Sequence, residues 1–220
     1  MELDPGIVAQ HWPALLAGAR VTLIAFAAAL AMGLPLAALI CAGRLRERGF
    51  LARLAGGCVT VFRVIPEAVL IFWMFYCLPP LTGYQVSGLW SGSLALALVS
   101  GAYLAEIFRA GVSSVPSGQW EAAKALALPR RVTWTRVVIP QALRLALPPF
   151  VNFLTELLKG TTLLATIGVA DLALQAYVLG AQTFRYLEFL TAIALIYFVI
   201  IFPVARLAEM MERRFAAGSR

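Results

Sequence analysis

Charge is what this chain has least of. Of its 220 residues, 13% are charged and 61% are hydrophobic, with a mean hydropathy of +0.85. Soluble domains carry about 25% charged residues, so the scarcity excludes an ordinary water-soluble globule and points to lipid as the solvent. Histidine occurs once, at His11 beside Trp12, which is too few for a histidine metal site. Cysteine occurs three times, as Cys41, Cys58 and Cys77. An odd, scattered set inside apolar stretches is neither a disulfide framework nor a metal cluster, and all three read as small core hydrophobes. A glycine-rich phosphate loop ending in Lys-Ser or Lys-Thr is missing. Gly160-Thr161-Thr162 lacks both the lead-in and the adjacent lysine. The opening Met1-Glu2-Leu3-Asp4-Pro5 has no basic residue, which argues against a cleaved signal peptide and for a first span that stays as an anchor. The formal net charge is +7. Nucleic acid is not its target, because the basic residues lie in short gaps between apolar spans rather than on one patch.

What is present is a series of long apolar runs. A membrane-crossing helix needs about 20 mostly apolar residues, and five runs qualify: roughly 14–42, 54–78, 94–107 (extending towards 115), 145–165 and 187–205. Pro35, Pro66 and Pro148-Pro149 mark bends within or beside them. Thirteen Lys and Arg residues fall on one side: Arg44, Arg46, Arg48 and Arg53; Arg109, Lys124, Arg130, Arg131 and Arg136; Arg206, Arg213, Arg214 and Arg220. The gap at 79–92 has none, and the gap at 168–185 has only Arg185. The positive-inside rule puts the thirteen in the cytoplasm, with the N-terminus outside, the C-terminus inside and five crossings. The stretch 161–180 competes as a sixth. It contains Asp171, and a carboxylate is costly at a helix centre, so about 166–185 is read as an outer re-entrant or surface segment. The chain is expected to be a single all-α membrane domain, 1–220.

A polar island stands at about 115–136. Ser117 is a plausible N-cap and Gly118 to Leu128 is rich in helix formers. Pro129 is expected to stop that helix, and a second amphipathic stretch follows to about Leu147. Two short helices at an angle make a knob with small residues on its surface: Ala122, Ala123, Ala125 and Ala127. Glu121 offers a carboxylate near the helix N-terminus, which the macrodipole favours. The same pattern also fits an ordinary cytoplasmic loop.

Glu121-Ala122-Ala123 with Ile139-Pro140 downstream resembles the EAA loop of bacterial ABC importer permeases. The likeness extends over nearly the whole chain. Tyr103-Leu104-Ala105-Glu106-Ile107-Phe108-Arg109-Ala110-Gly111, Leu157-Leu158-Lys159-Gly160-Thr161-Thr162-Leu163, Gly18-Ala19-Arg20-Val21-Thr22-Leu23 and Phe62-Arg63-Val64-Ile65-Pro66 resemble the polar amino-acid branch. The resemblance implies the five-helix core of the MetI-like type. It implies a second permease subunit, same or homologous, an ABC ATPase dimer and an extracytoplasmic solute-binding protein. No cofactor would be bound by this chain; ATP and Mg would belong to the ATPase. The implied coupling residues are Gly118, Gln119, Glu121, Ala122, Ala123 and Ala127. Three departures stand out: Ala127 replaces the usual glycine, Gly160 replaces a common acidic residue, and Glu67 stands at a usually apolar position.

A candidate solute pathway lies in the fourth span. Asn152, Thr155, Glu156 and Lys159 are spaced i, i+3, i+4, i+7, one helical stripe. Intramembrane charges face a bundle interior or water. Asn152, Lys159, Thr161 and Thr162 can donate to a carboxylate, and Glu156 can accept from an ammonium. The stripe also fits plain packing between two subunits, with Glu156 and Lys159 neutralising each other. Glu106 and Arg109 read as a structural pair. Rival functions are a permease of the same build for an opine or compatible solute, and a stand-alone channel or secondary carrier.

Overall fold

The computed structural model describes residues 4–46 and 49–217, without the side chains at 212 and 214–217. Arg48, Arg220 and the side chain of Arg214 therefore lie outside the described residues. Helix α1 (Pro5–Gln10) is capped by Asp4, whose Oδ1 accepts from the Gly6 N–H at 2.9 Å. Helix α2 (Trp12–Arg44) is the first long span. Its buried line runs Leu15, Gly18, Thr22, Ala25, Ala29, Gly33 and Ala37, every third or fourth residue. In lipid there is no hydrophobic gain from pairing helices, so close backbone approach over small residues does the work.

From Ala25 onward the partner of that stripe is α5 (Gly88–Ser113), the most deeply buried of the spans; Leu15, Gly18 and Thr22 instead face the chain at Asp171 and Leu172. A Cβ on Gly33 would stand 2.9 Å from the Ser100 Cβ. Helix α5 begins six residues before the run at 94, because Ser91, Gly92 and Ser93 continue it as small, buried residues rather than as apolar ones.

The second expected span is not one helix. Helix α3 (Phe50–Val64) and helix α4 (Glu67–Thr82) meet at 101°. Ile65 takes an extended conformation (φ −68°, ψ 128°) before Pro66, as a residue crowded by the following proline ring must. Pro35 and Pro148-Pro149 stay inside their helices. Helix α4 passes through a π turn at Trp73–Cys77, where Cys77 is exposed rather than buried; Cys58 is half-buried and Cys41 buried. Cys41 belongs to a core cluster and Cys58 packs against it, so Cys77 alone of the three departs from the expected core role.

Helix α6 (Ser117–Ala125) is short. Helix α7 runs from Arg130–Val132 through a π turn at Thr133–Val138 into Ile139–Gly160, and a 3-10 segment, Thr161–Ile167, extends it. The π turn precedes Pro140, which lacks an N–H, and such turns absorb that defect. Gly168 (φ 78°) then reverses the chain. Helix α8 (Leu172–Thr183) is capped by Asp171, whose Oδ1 accepts from the Leu174 N–H at 2.8 Å. Twelve residues reach about 18 Å, short of a bilayer core of about 30 Å. Helix α9 (Tyr186–Ala217) closes the bundle.

Among the described residues, four helices are long and apolar enough to cross a membrane, and five if the bent pair α3–α4 is one span. The main core joins Ala25 and Ala29 of α2, Ile71 and Met74 of α4, Leu96 and Val99 of α5, and Leu157 and Leu164 beyond. A second cluster packs Leu15 against Leu172, Ala176 and Phe189, so α8 is wedged between α2 and α9.

Candidate functional site: a coupling knob and a polar stripe on one lever

The knob is framed by two prolines and a left-handed alanine. Pro116 (ψ 139°) is extended and ends the run from α5, so Ser117 is the first helical residue of α6 and makes no capping bond. Glu121 is the fifth residue of α6, beyond its first turn. The macrodipole fades over that turn, so the expected electrostatic benefit is small. Helix α6 ends without help from Pro129. Ala127 adopts φ 46°, its N–H donates to Lys124 O at 3.0 Å, and the Leu128 N–H donates to Ala123 O at 3.0 Å. This pair of bonds is a Schellman closure. Pro129 (ψ 141°) instead starts α7.

Packing locks the two helices. Trp120 and Trp134 meet edge to face with centroids 5.4 Å apart. Val115, Val138 and Ala142 are buried beneath them, and Gln141 Nε2 donates to Gln119 Oε1 at 3.4 Å. Gly118, Gln119, Glu121, Ala122 and Ala127 are exposed. Ala123 is not: it is 4% exposed and faces inward, because its place on α6 falls over Val115 and the Trp pair. It lines a cavity of ≈ 650 Å³ with Leu45, Trp120, Lys124 and Trp134. Leu126, at the tip, is 73% exposed, an apolar handle among the small residues of the knob.

The far end of α7 carries the stripe, and the structure divides it. Asn152, Glu156 and Lys159 are exposed on the surface of the single chain; Thr155 and Thr161 are buried. Thr155 is on the same four-residue repeat but turns into the bundle. Its hydroxyl donates to Asn152 O at 2.7 Å, and those of Thr161 and Thr162 donate to Leu158 O and Lys159 O. Hydroxyls so engaged have only acceptor capacity left. Lys159 Nζ bridges Glu156 Oε1 at 2.8 Å. Lys159 and Thr162 also edge a groove of ≈ 570 Å³ running along Tyr197, Phe198, Ile201 and Phe202 of α9.

A family model described as "Binding-protein-dependent transport system inner membrane component" matches residues 33–217. The chain belongs to that family of transport permeases. The arginine transport system permease protein ArtQ of Bacillus subtilis (strain 168) is 32% identical over 97% of this chain and 98% of the relative. The octopine transport system permease protein OccM of Rhizobium radiobacter is 34% identical over 96% and 90%. A solved structure described as an amino acid ABC transporter with histidines superposes with a TM-score of 0.89 at 31% identity, covering 97% of this chain and all of that one. The methionine ABC transporter MetNI shares the fold, with a TM-score of 0.67 at 20% identity and 93% of this chain covered.

In this permease the Glu106–Arg109 pair is present, with Arg109 Nε donating to Glu106 Oε1 at 2.9 Å. Arg44, from the end of α2, adds a second guanidinium 3.8 Å from Glu106. Arg63 lies over the Tyr103 ring at 5.0 Å. Arg63, Tyr103 and Glu106 line a cavity of ≈ 380 Å³ that Leu145 and Pro149 of α7 close. Only the local i,i+3 pair was legible from spacing; Arg44 and Arg63 arrive from other helices.

Proposed function

We propose that this chain is one permease subunit of an ATP-driven importer in the bacterial inner membrane, translocating a polar amino acid by alternating access. The observation that carries this is the continuity of α7. A single run from Arg130 to Ile167 joins the exposed knob at one end to Glu156, Lys159 and the 3-10 segment at the other. A force on α6 passes through the Trp120–Trp134 contact into that lever and displaces the polar stripe. ATP and Mg are assigned to an ABC ATPase dimer that grips Gly118, Gln119, Glu121, Ala122 and Ala127, with Ala123 as the inward anchor. A second permease subunit and an extracytoplasmic solute-binding protein complete the assembly. Asn152, Glu156, Lys159 and Thr162 form the solute contact, with Thr155 and Thr161 shaping the helix behind it. Lys159 takes the solute carboxylate and Glu156 its ammonium. The solute class is supported by the relatives, which are named for arginine, octopine and glutamine.

The test is the double variant Glu121→Arg/Ala122→Trp in the importer reconstituted with its ATPase. We expect ATPase co-purification to weaken and uptake to fall at least about tenfold, the loss of a central anchor contact of an interface. Unchanged co-purification and uptake would remove the coupling assignment. Solute movement by the permease alone, with no ATPase present, would favour a secondary carrier instead.

A further inference from the structure

Glu67 is a carboxylate that the stripe on α7 leaves unexplained. It opens α4, directly after the break at Ile65-Pro66, and is half-buried. The α4 N-terminus favours a negative charge there. Among the described residues it has neither an ion pair nor a hydrogen bond, although Glu156 is close enough to repel it. Its position is unusual. A Cβ added to Gly160 would stand 3.1 Å from Glu67 Oε2 and 3.5 Å from Leu96 Cδ2. The carboxylate therefore occupies the space that a side chain at 160 would fill. Residue 160 is four places beyond Glu156, hence on the same face of α7. Glu67 thus reaches across from α4 to the face that carries the Glu156–Lys159 bridge.

The charges then decide what fits. Glu156 and Lys159 neutralise each other at 2.8 Å. A zwitterionic amino acid that opens this bridge returns one charge to each partner and leaves the balance even. Glu67 remains one negative charge in excess, and an unanswered charge at membrane depth is expensive. A solute with a cationic side chain answers it. We propose that Glu67 is a specificity-determining residue that selects amino acids bearing a guanidinium or ammonium side chain, while Glu156 and Lys159 hold the backbone groups. This rests on the pathway reading given above for Glu156 and Lys159.

The test is direct binding of radiolabelled L-arginine and L-glutamine to the purified permease–ATPase complex without the solute-binding protein, which would impose its own selectivity. Glutamine is the uncharged probe of similar length. The wild-type complex is expected to bind arginine at least about tenfold more tightly, the value of one charge-assisted pair. Glu67→Ala should remove that preference and leave glutamine binding unchanged. Glu67→Ala/Gly160→Asp should restore it, because it returns a carboxylate to the same space from the neighbouring helix. Equal binding of the two probes by wild type, or an arginine preference that survives Glu67→Ala, would overturn the proposal. So would loss of both probes in Glu67→Ala without rescue by Gly160→Asp, since a structural role behaves that way. Glu156→Gln separates the two readings. If it leaves both probes bound as before, the pathway itself is misassigned; if it weakens both while Glu67→Ala spares the preference, only the specificity claim fails.

Discussion

Ala127 holds a conformation that its side chain resists. A left-handed residue with a Cβ costs about 1–2 kcal/mol against glycine, and here φ is 46°. The closure survives because two backbone bonds, from Ala127 and Leu128 to Lys124 and Ala123, are made at 3.0 Å. Replacement by glycine removes the strain but loosens the unfolded chain by about 0.4–1 kcal/mol. Ala127→Gly is therefore expected to stabilise the knob by roughly 0.5–1 kcal/mol, read as a small rise in the thermal midpoint of the detergent-solubilised permease. A bulky β-branched residue at the same place should lower it. A midpoint that falls on Ala127→Gly would mean the turn is held by something other than this closure. The sequence marks Ala127 as a departure; it does not say that the backbone keeps the glycine geometry regardless.

Elements here are joined by close approach, and Gly111 is a place where one helix meets the backbone of another. A Cβ on Gly111 of α5 would lie 2.7 Å from Ala142 O and 2.9 Å from the Ala146 Cβ of α7. Both atoms belong to a packed helix and cannot swing aside. Gly111→Val should thus pry α5 from the lever, costing about 1–3 kcal/mol as overpacking does, with uptake falling more than ATPase association. Gly57→Ala, which meets nothing within 4 Å, is the matched control and should leave the midpoint unchanged or slightly raised. An unaltered midpoint in Gly111→Val would show that α5 and α7 have slack. Helices of this kind were legible in the sequence because twenty apolar residues admit few other structures in lipid. Their phase was not. Ala123 and Thr155 turn inward where periodicity alone put them beside exposed neighbours, because the facing helix, not the local spacing, decides which side is covered. The break at Ile65-Pro66 was signalled by its proline, but Pro35 and Pro148-Pro149 carry the same signal and remain helical. Only tertiary packing separates those cases.

At the scale of the molecule, the distribution of charge and the chain path make a joint statement about sidedness. The segment between α4 and α5 has no Lys or Arg, while α6 and the start of α7 carry Lys124, Arg130, Arg131 and Arg136. A single helix, α5, separates these segments. If α5 crosses the bilayer, Tyr84 and Leu126 must lie on opposite sides, and the positive-inside rule assigns Leu126 to the cytoplasm. Both side chains are open to reagent, at 78% and 73% exposure. With Cys41, Cys58 and Cys77 replaced by serine or alanine, Tyr84→Cys should react with a membrane-impermeant maleimide in intact cells. Leu126→Cys should react only in inverted vesicles stripped of peripheral subunits. Labelling of both from the same side would mean that α5 does not cross, and the opposite pattern would invert the whole topology. Adding the ATPase back to the stripped vesicles extends the same measurement. Leu126 stands at the tip of the knob, so a docked ATPase should shield Leu126→Cys from the reagent while leaving a cysteine at Tyr84 as reactive as before.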